Sequence, residues 1–130
     1  MSDSTKSVVQ LDFQLLGTTL PPKEISVILG VRPDTELLRG ERNKKLDLPR
    51  QNIWSLRSNS QSNDIANHWH ELQTVLDDVR QPICNIAKTG RAKITIIIKS
   101  RDRIPPITIP SSMAEFAGAI NAEIDIDHLQ

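Results

Sequence analysis

The chain has 130 residues, the size of one ordinary domain, and its 38% hydrophobic and 25% charged content excludes the disordered and membrane-embedded classes. Lys plus Arg number 16 and Asp plus Glu number 16, so no net field draws the molecule toward nucleic acid or an anionic membrane, and electrostatic recognition has to be local. Aromatic residues make up 3% and Tyr is absent, so the core has to be aliphatic. A single domain over 1–130 is expected, with 1–7 a disordered tail. Residues 1–10 carry no apolar stretch of signal-peptide length, and the most apolar run, Ile94 to Ile98, is too short for a bilayer. A cytoplasmic protein without a membrane partner is the expectation.

Val9, Leu11, Phe13 and Leu15 alternate with Gln10, Asp12 and Gln14, the period of a strand with one face on a core and one face wet. Pro21 and Pro22 then open a helix whose apolar set is Ile25, Ile28 and Leu29. Gly30 closes it, and Pro33 forbids its continuation. From Arg32 to Asn52 no period is sustained, which predicts a long ordered loop carrying a short strand or bulge. Ile53 to Ser58 reads as a second strand, with Trp54 and Leu56 on one side and Ser55 and Arg57 on the other.

The segment 58–63 is polar and supplies caps, Asn63 or Asp64 being placed to accept from the first free N–H groups of a helix. Ile65, Trp69, Leu72, Leu76, Val79, Ile83 and Ile86 form one stripe beyond it. Pro82 requires either a kink or two helices, and Gly90 ends the segment. Ala92 to Ser100 predicts a mid-sheet strand. Residues 101–103 form a charged turn, and Ile107 to Ile109 an edge strand between prolines. Ser112 and Glu115 have capping-box spacing ahead of Met113, Phe116, Ala117 and Ile120, with the helix ending near Asn121. Ile124 and Ile126 alternate with Glu123, Asp125 and Asp127 in a last strand. Each end of the chain thus reads as strand, proline-flagged helix and extended chain. The whole predicts an α+β two-layer sandwich, a mixed sheet with helices on one face, ferredoxin-like or related, with an internal strand–helix–strand pseudo-repeat.

The string from Phe13 to Pro33, FQLLGTTLPPKEISVILGVRP, followed by Trp54-Ser55-Leu56-Arg57-Ser58 and the closing Ala122-Glu123-Ile124-Asp125-Ile126-Asp127, resembles the bacterial family catalogued as domain of unknown function 4279. The resemblance covers nearly the whole chain and departs from the family's usual ending at His128. It implies a fold and a bacterial setting, and carries no catalytic residues with it.

Candidate sites are few. Cys84 stands alone beside Ile83 and Ile86, which suits a small buried thiol and no disulfide. His68 and His70 point in nearly opposite directions on a helix and are expected at the surface or its boundary, Trp69 between them being buried. Glu123, Asp125 and Asp127 read as the wet face of a terminal strand that discourages edge pairing, in preference to a cation site. Neither a metal nor a cofactor is expected. Phosphate-loop, nucleophile-elbow and paired-Cys motifs are absent, so no enzyme is expected. Arg39, Arg42, Lys44, Lys45, Arg50 and Arg57 make the 32–57 stretch the most basic part of a neutral chain and the candidate partner-binding region. The reading is a non-enzymatic protein-binding module, an immunity protein neutralising a cognate toxin. The alternative is a regulatory domain that binds a small ligand or nucleic acid through that stretch, against which the scarcity of aromatics counts.

Overall fold

The computed structural model describes residues 8–42, 48–100 and 103–129. The first strand, β1 (Val9–Leu16), leads into helix α1 (Pro22–Leu29), the short strand β2 (Thr35–Leu37) and strand β3 (Ile53–Arg57). Two helices follow, α2 (Ile65–Leu76) and α3 (Arg80–Ala87), then β4 (Arg91–Lys99), α4 (Ser111–Ala119) and β5 (Glu123–Leu129). The five strands form one sheet in the order β2-β3-β1-β4-β5. Every pairing is antiparallel except β4–β5, which is parallel. The predicted α+β two-layer arrangement is what the chain adopts.

The two strand–helix–strand units occupy the sheet differently. β1–α1–β2 is a split unit, with β3 lying between its two parallel strands, whereas β4–α4–β5 sets its strands side by side. The sheet is therefore a relative of the ferredoxin-like arrangement.

The core sits between one sheet face and the helices. Val9, Leu11, Phe13 and Leu15 of β1, Trp54 of β3 and Ile94, Ile96 and Ile98 of β4 pack against Ile25, Ile65, Trp69, Leu72, Leu76, Ile83, Met113 and Phe116. Its centre is aromatic despite the composition. Phe13 meets Trp54 and Phe116 edge-on at ring-centroid distances of 6.3 and 6.2 Å, and Trp69 lies 5.3 Å from Phe116. Both indoles are buried and both N–H groups are satisfied, Trp54 Nε1 donating to Ser26 Oγ and Trp69 Nε1 to Ser112 Oγ, each at 2.9 Å.

Local chemistry explains the boundaries. Pro22 is the first residue of α1, where a missing N–H has no intrahelical partner, and Gly30 closes that helix at φ 65°. Of the two candidate caps before α2, Asp64 takes the role by accepting from Ala66 N at 3.0 Å, while Asn63 accepts from Val8 N. The long stripe is carried by two helices, joined by one 3₁₀ turn over Asp77–Val79. Pro82 falls in the first turn of α3, where it costs no hydrogen bond. The stripe stays on one side across this break, with Val79 half-buried at the turn. Gly90, just past α3, sits so close to β1 that an added Cβ would lie 2.2 Å from the Leu16 carbonyl oxygen.

Several expectations are corrected, among them Ile28 of the α1 apolar set, which is 51% exposed, and the buried thiol expected at Cys84. Residues 107–109 form no strand; Pro105, Pro106 and Pro110 remove donors around them, Ile107 packs on the core, and β5 pairs with β4 instead. Ser112 and Glu115 form no capping box: α4 is capped by Pro110 without a side-chain bond. Ser112 is engaged by Trp69, and Glu115 takes both guanidinium nitrogens of Arg80 at 2.6 and 2.8 Å. His68, expected near the surface, is fully buried, whereas His70 is exposed. Cys84 is half-buried, its Sγ 3.7 Å from the Ala119 carbonyl oxygen. The proposed tail 1–7 lies outside the described residues, as do residues 101 and 102 of the charged turn.

Candidate functional site

Among the described residues all helices lie on one side, and none of these residues forms a layer over the opposite sheet face. Register places Thr35 and Leu37 of β2, Ile53, Ser55 and Arg57 of β3, Gln10, Asp12, Gln14 and Leu16 of β1, and Lys93, Thr95 and Ile97 of β4 on this open face. Period-two alternation predicts a wet surface here. Yet Asp12 is 5% exposed, Ser55 and Thr95 6%, and Leu16 and Ile97 7%. The β1–β3–β2 half forms a hollow of about 360 Å³, lined among others by Asp12, Gln14, Leu16, Ser55 and Arg57.

Asp12 is the unusual group in it. Its Oδ2 accepts from Gln14 Nε2 at 2.8 Å and lies 3.6 Å from Arg57 Nη2, while its Oδ1 is buried and has no hydrogen-bond partner. Burial pushes its pKa up, and the Gln14 hydrogen bond and the Arg57 charge only partly offset that. A buried carboxylate with an unmatched oxygen costs stability, so this fold retains a group that does not help to hold it together.

The basic set divides between two places. Arg57 belongs to β3 and stands on the open face beside Asp12, its backbone N–H donating to Asp34 Oδ2 at 2.6 Å. Arg39, Arg42 and Arg50 are exposed on the excursion between β2 and β3. That excursion is tied at its base, where Gly40 N donates to Pro49 O, and Asn52 accepts from Arg39 N through Oδ1 and donates to Thr18 O through Nδ2. Lys44 and Lys45 lie outside the described residues.

A second polar group is buried under the helix layer. His68 Nε2 lies 2.7 Å from Ser62 O and Nδ1 lies 2.6 Å from Ser58 Oγ. A carbonyl can only accept, so Nε2 carries a proton, and in the neutral ring with that tautomer the Ser58 hydroxyl donates to Nδ1. That hydroxyl in turn accepts from Leu11 N at 2.9 Å. Every member is satisfied, and neither Ser58 nor His68 has exposed surface, so the pair is a clamp between β1, the end of β3 and α2. No group of three or more His, Cys, Asp or Glu able to hold a metal ion occurs among the described residues, and no helix there is long and apolar enough to cross a membrane.

The model of one family, described as Domain of unknown function (DUF4279), matches residues 6–130. The chain belongs to this family. No curated protein and no solved structure matches it. Within the family frame the His68 and Asp12 environments are what sequence reading missed. Period two marks Asp12 as solvent-facing, and only its register beside Thr95 and Arg57 puts it under cover.

Proposed function

We propose that this protein is a binding module that engages a partner protein through the open face of its sheet, most concretely an immunity protein that neutralises a cognate toxin. The observation that supports this reading is the buried carboxylate of Asp12, one oxygen unpartnered, on the sheet face that none of the described helices covers. A partner that displaces the side chains covering Asp12 and brings a donor to its Oδ1 supplies what the free chain lacks, and the exposed cations Arg39, Arg42, Arg50 and Arg57 steer association with an acidic surface. Lys44 and Lys45 add to this charge in sequence. The cytoplasm is the compartment this reading requires, and it assigns no reaction and no cofactor to the chain.

The test is co-expression with the protein encoded by the adjoining reading frame, after that protein has been scored alone for toxicity. Rescue of growth, a complex that survives gel filtration, and loss of both in Arg57→Glu support the reading. Absence of rescue overturns it, and so does a tight complex with mixed-sequence DNA or RNA whose affinity falls log-linearly with salt.

A further inference from the structure

The two edges of the sheet are unlike. β2 has three residues, and its Glu36 side chain contacts Ser26 of α1. β5 has seven residues, pairs among the described residues with β4 alone, and every one of them is exposed. A long, exposed edge strand is a template for another strand, because its outward N–H and C=O groups have no protein partner.

The side chains of β5 specify what would pair there. Ile124 and Ile126 stand in register with the buried Ile94 and Ile96, so they carry the apolar face of the sheet past the helices, 36% and 57% exposed. Glu123, Asp125 and Asp127 stand on the other face beside Lys93, Thr95 and Ile97. Arg91 and Lys93 reach Glu123 and Asp125 only at 3.6 and 3.8 Å, and Asp127 forms no ion pair among the described residues. A second copy of β5 is a poor occupant. Any register that sets its isoleucines against Ile124 and Ile126 also sets carboxylates against carboxylates, a destabilising juxtaposition.

We infer that the free edge of β5 receives an extended segment of a partner protein in which Lys or Arg alternates with aliphatic residues, adding a sixth strand to the sheet. The backbone of the incoming segment takes the open ladder positions, its aliphatic side chains cover Ile124 and Ile126, and its cations meet Glu123, Asp125 and Asp127. This surface is separate from the open-face hollow, which lies on the β1–β3–β2 half of the sheet.

The experiment titrates the intact chain with a short peptide alternating Lys and Val, followed by amide chemical shifts. Expected are shifts centred on β5 and β4, weakening with salt, and loss of binding when alternate peptide nitrogens are methylated, which removes the ladder donors without changing charge. In the double variant Asp125→Lys, Asp127→Lys, affinity for this peptide should fall about tenfold or more, while a peptide alternating Glu and Val gains it. Because both changes lie on exposed edge positions, the thermal midpoint serves as the check that the variant is folded. Shifts that map elsewhere, equal binding of the methylated peptide, or no binding by either peptide overturn the inference. So does a concentration-dependent dimer of the unmodified chain with β5 at its interface. Arg57→Glu should leave peptide binding intact, which keeps this test apart from that of the open face.

Discussion

Strand β1 contributes to both faces of the sheet, and the two faces reach low exposure by different means. Val9, Leu11, Phe13 and Leu15 are at most 1% exposed because neighbouring strands flank them and the helix layer packs over them, with Trp69 and Phe116 joining Phe13 and Trp54 in an aromatic cluster. Asp12, 5% exposed on the other face, has no layer above it among the described residues and is flanked there by Gln14, Ser55 and Arg57. Among the described residues every buried side-chain polar atom on the first face is matched, Ser58 and His68 included. The second leaves a carboxylate oxygen unmatched. A face built for stability closes its hydrogen-bond account, whereas a face built for contact can leave a group open for something else to complete.

The comparison is broken most severely from the helix side. Trp69→Ala removes an indole that fills the space beside Phe116 and orphans the Ser112 hydroxyl, and should cost about 3–5 kcal/mol, read as a large drop in the urea midpoint. A near-neutral effect would mean that the helix layer, and not the open face, is the malleable one. Ser58→Ala is the next test. It leaves Leu11 N–H and His68 Nδ1 without partners under the helices, at about 1–3 kcal/mol for each group that water cannot reach. An unchanged midpoint would show that the clamp is not needed to fix α2 against β1.

Much of the covered face is legible in the sequence because apolar periodicity is itself the cause of that packing. The alternation in β1, the prolines and Gly30 around α1, and the stripe from Ile65 to Ile86 each name the elements that form. Where tertiary partners compete with local motifs, local reading fails. Ser112 and Glu115 have the spacing of a cap, yet an indole N–H and a guanidinium claim their oxygens. His68 looks like a surface residue until two serines, one ten residues before it and one six before it, turn out to be its partners. The open face is least legible, since alternation predicts its direction and says nothing of the hollow that Gln14, Ser55 and Arg57 make around Asp12. The basic set fared differently by position: Arg57 could be assigned to a strand face from Trp54 and Leu56, whereas nothing in an aperiodic run tells where Arg39 and Arg50 stand.

A smaller effect of opposite sign should come from Asp12→Asn. Burial raises the Asp12 pKa from its ordinary value, so the folded state binds this proton more tightly than the unfolded chain does. The stability that accompanies the bound proton is fully present below the unfolded pKa and is lost as pH rises through the folded one. At neutral pH the ionised carboxylate therefore weighs against folding. The Asn variant should be more stable than the parent at neutral pH, and the gain should vanish in acid, as read from urea midpoints across that range. A variant less stable than the parent at neutral pH would mean that Asp12 is held by interactions stronger than the weak Arg57 contact and the single Gln14 bond, and the open face would lose its distinction from the covered one.

The smallest effect on stability belongs to Arg57→Ala. The Arg57 side chain is 44% exposed and its 3.6 Å approach to Asp12 is long for an ion pair, so the loss should stay within about 1 kcal/mol, the usual worth of such a contact in water. Its backbone bond to Asp34 is untouched by the change. What should move is the titration of Asp12. With the nearby cation gone, desolvation acts with less opposition, and the carboxyl should hold its proton to still higher pH, visible in the side-chain carboxyl carbon shift of Asp12. Stability and titration thus separate at this one position: a residue that holds the fold would change the first, and a residue that tunes an open site changes the second. If Arg57→Ala lowers the unfolding midpoint strongly and leaves the Asp12 titration where it was, Arg57 belongs to the scaffold and the site has to be sought elsewhere on the face.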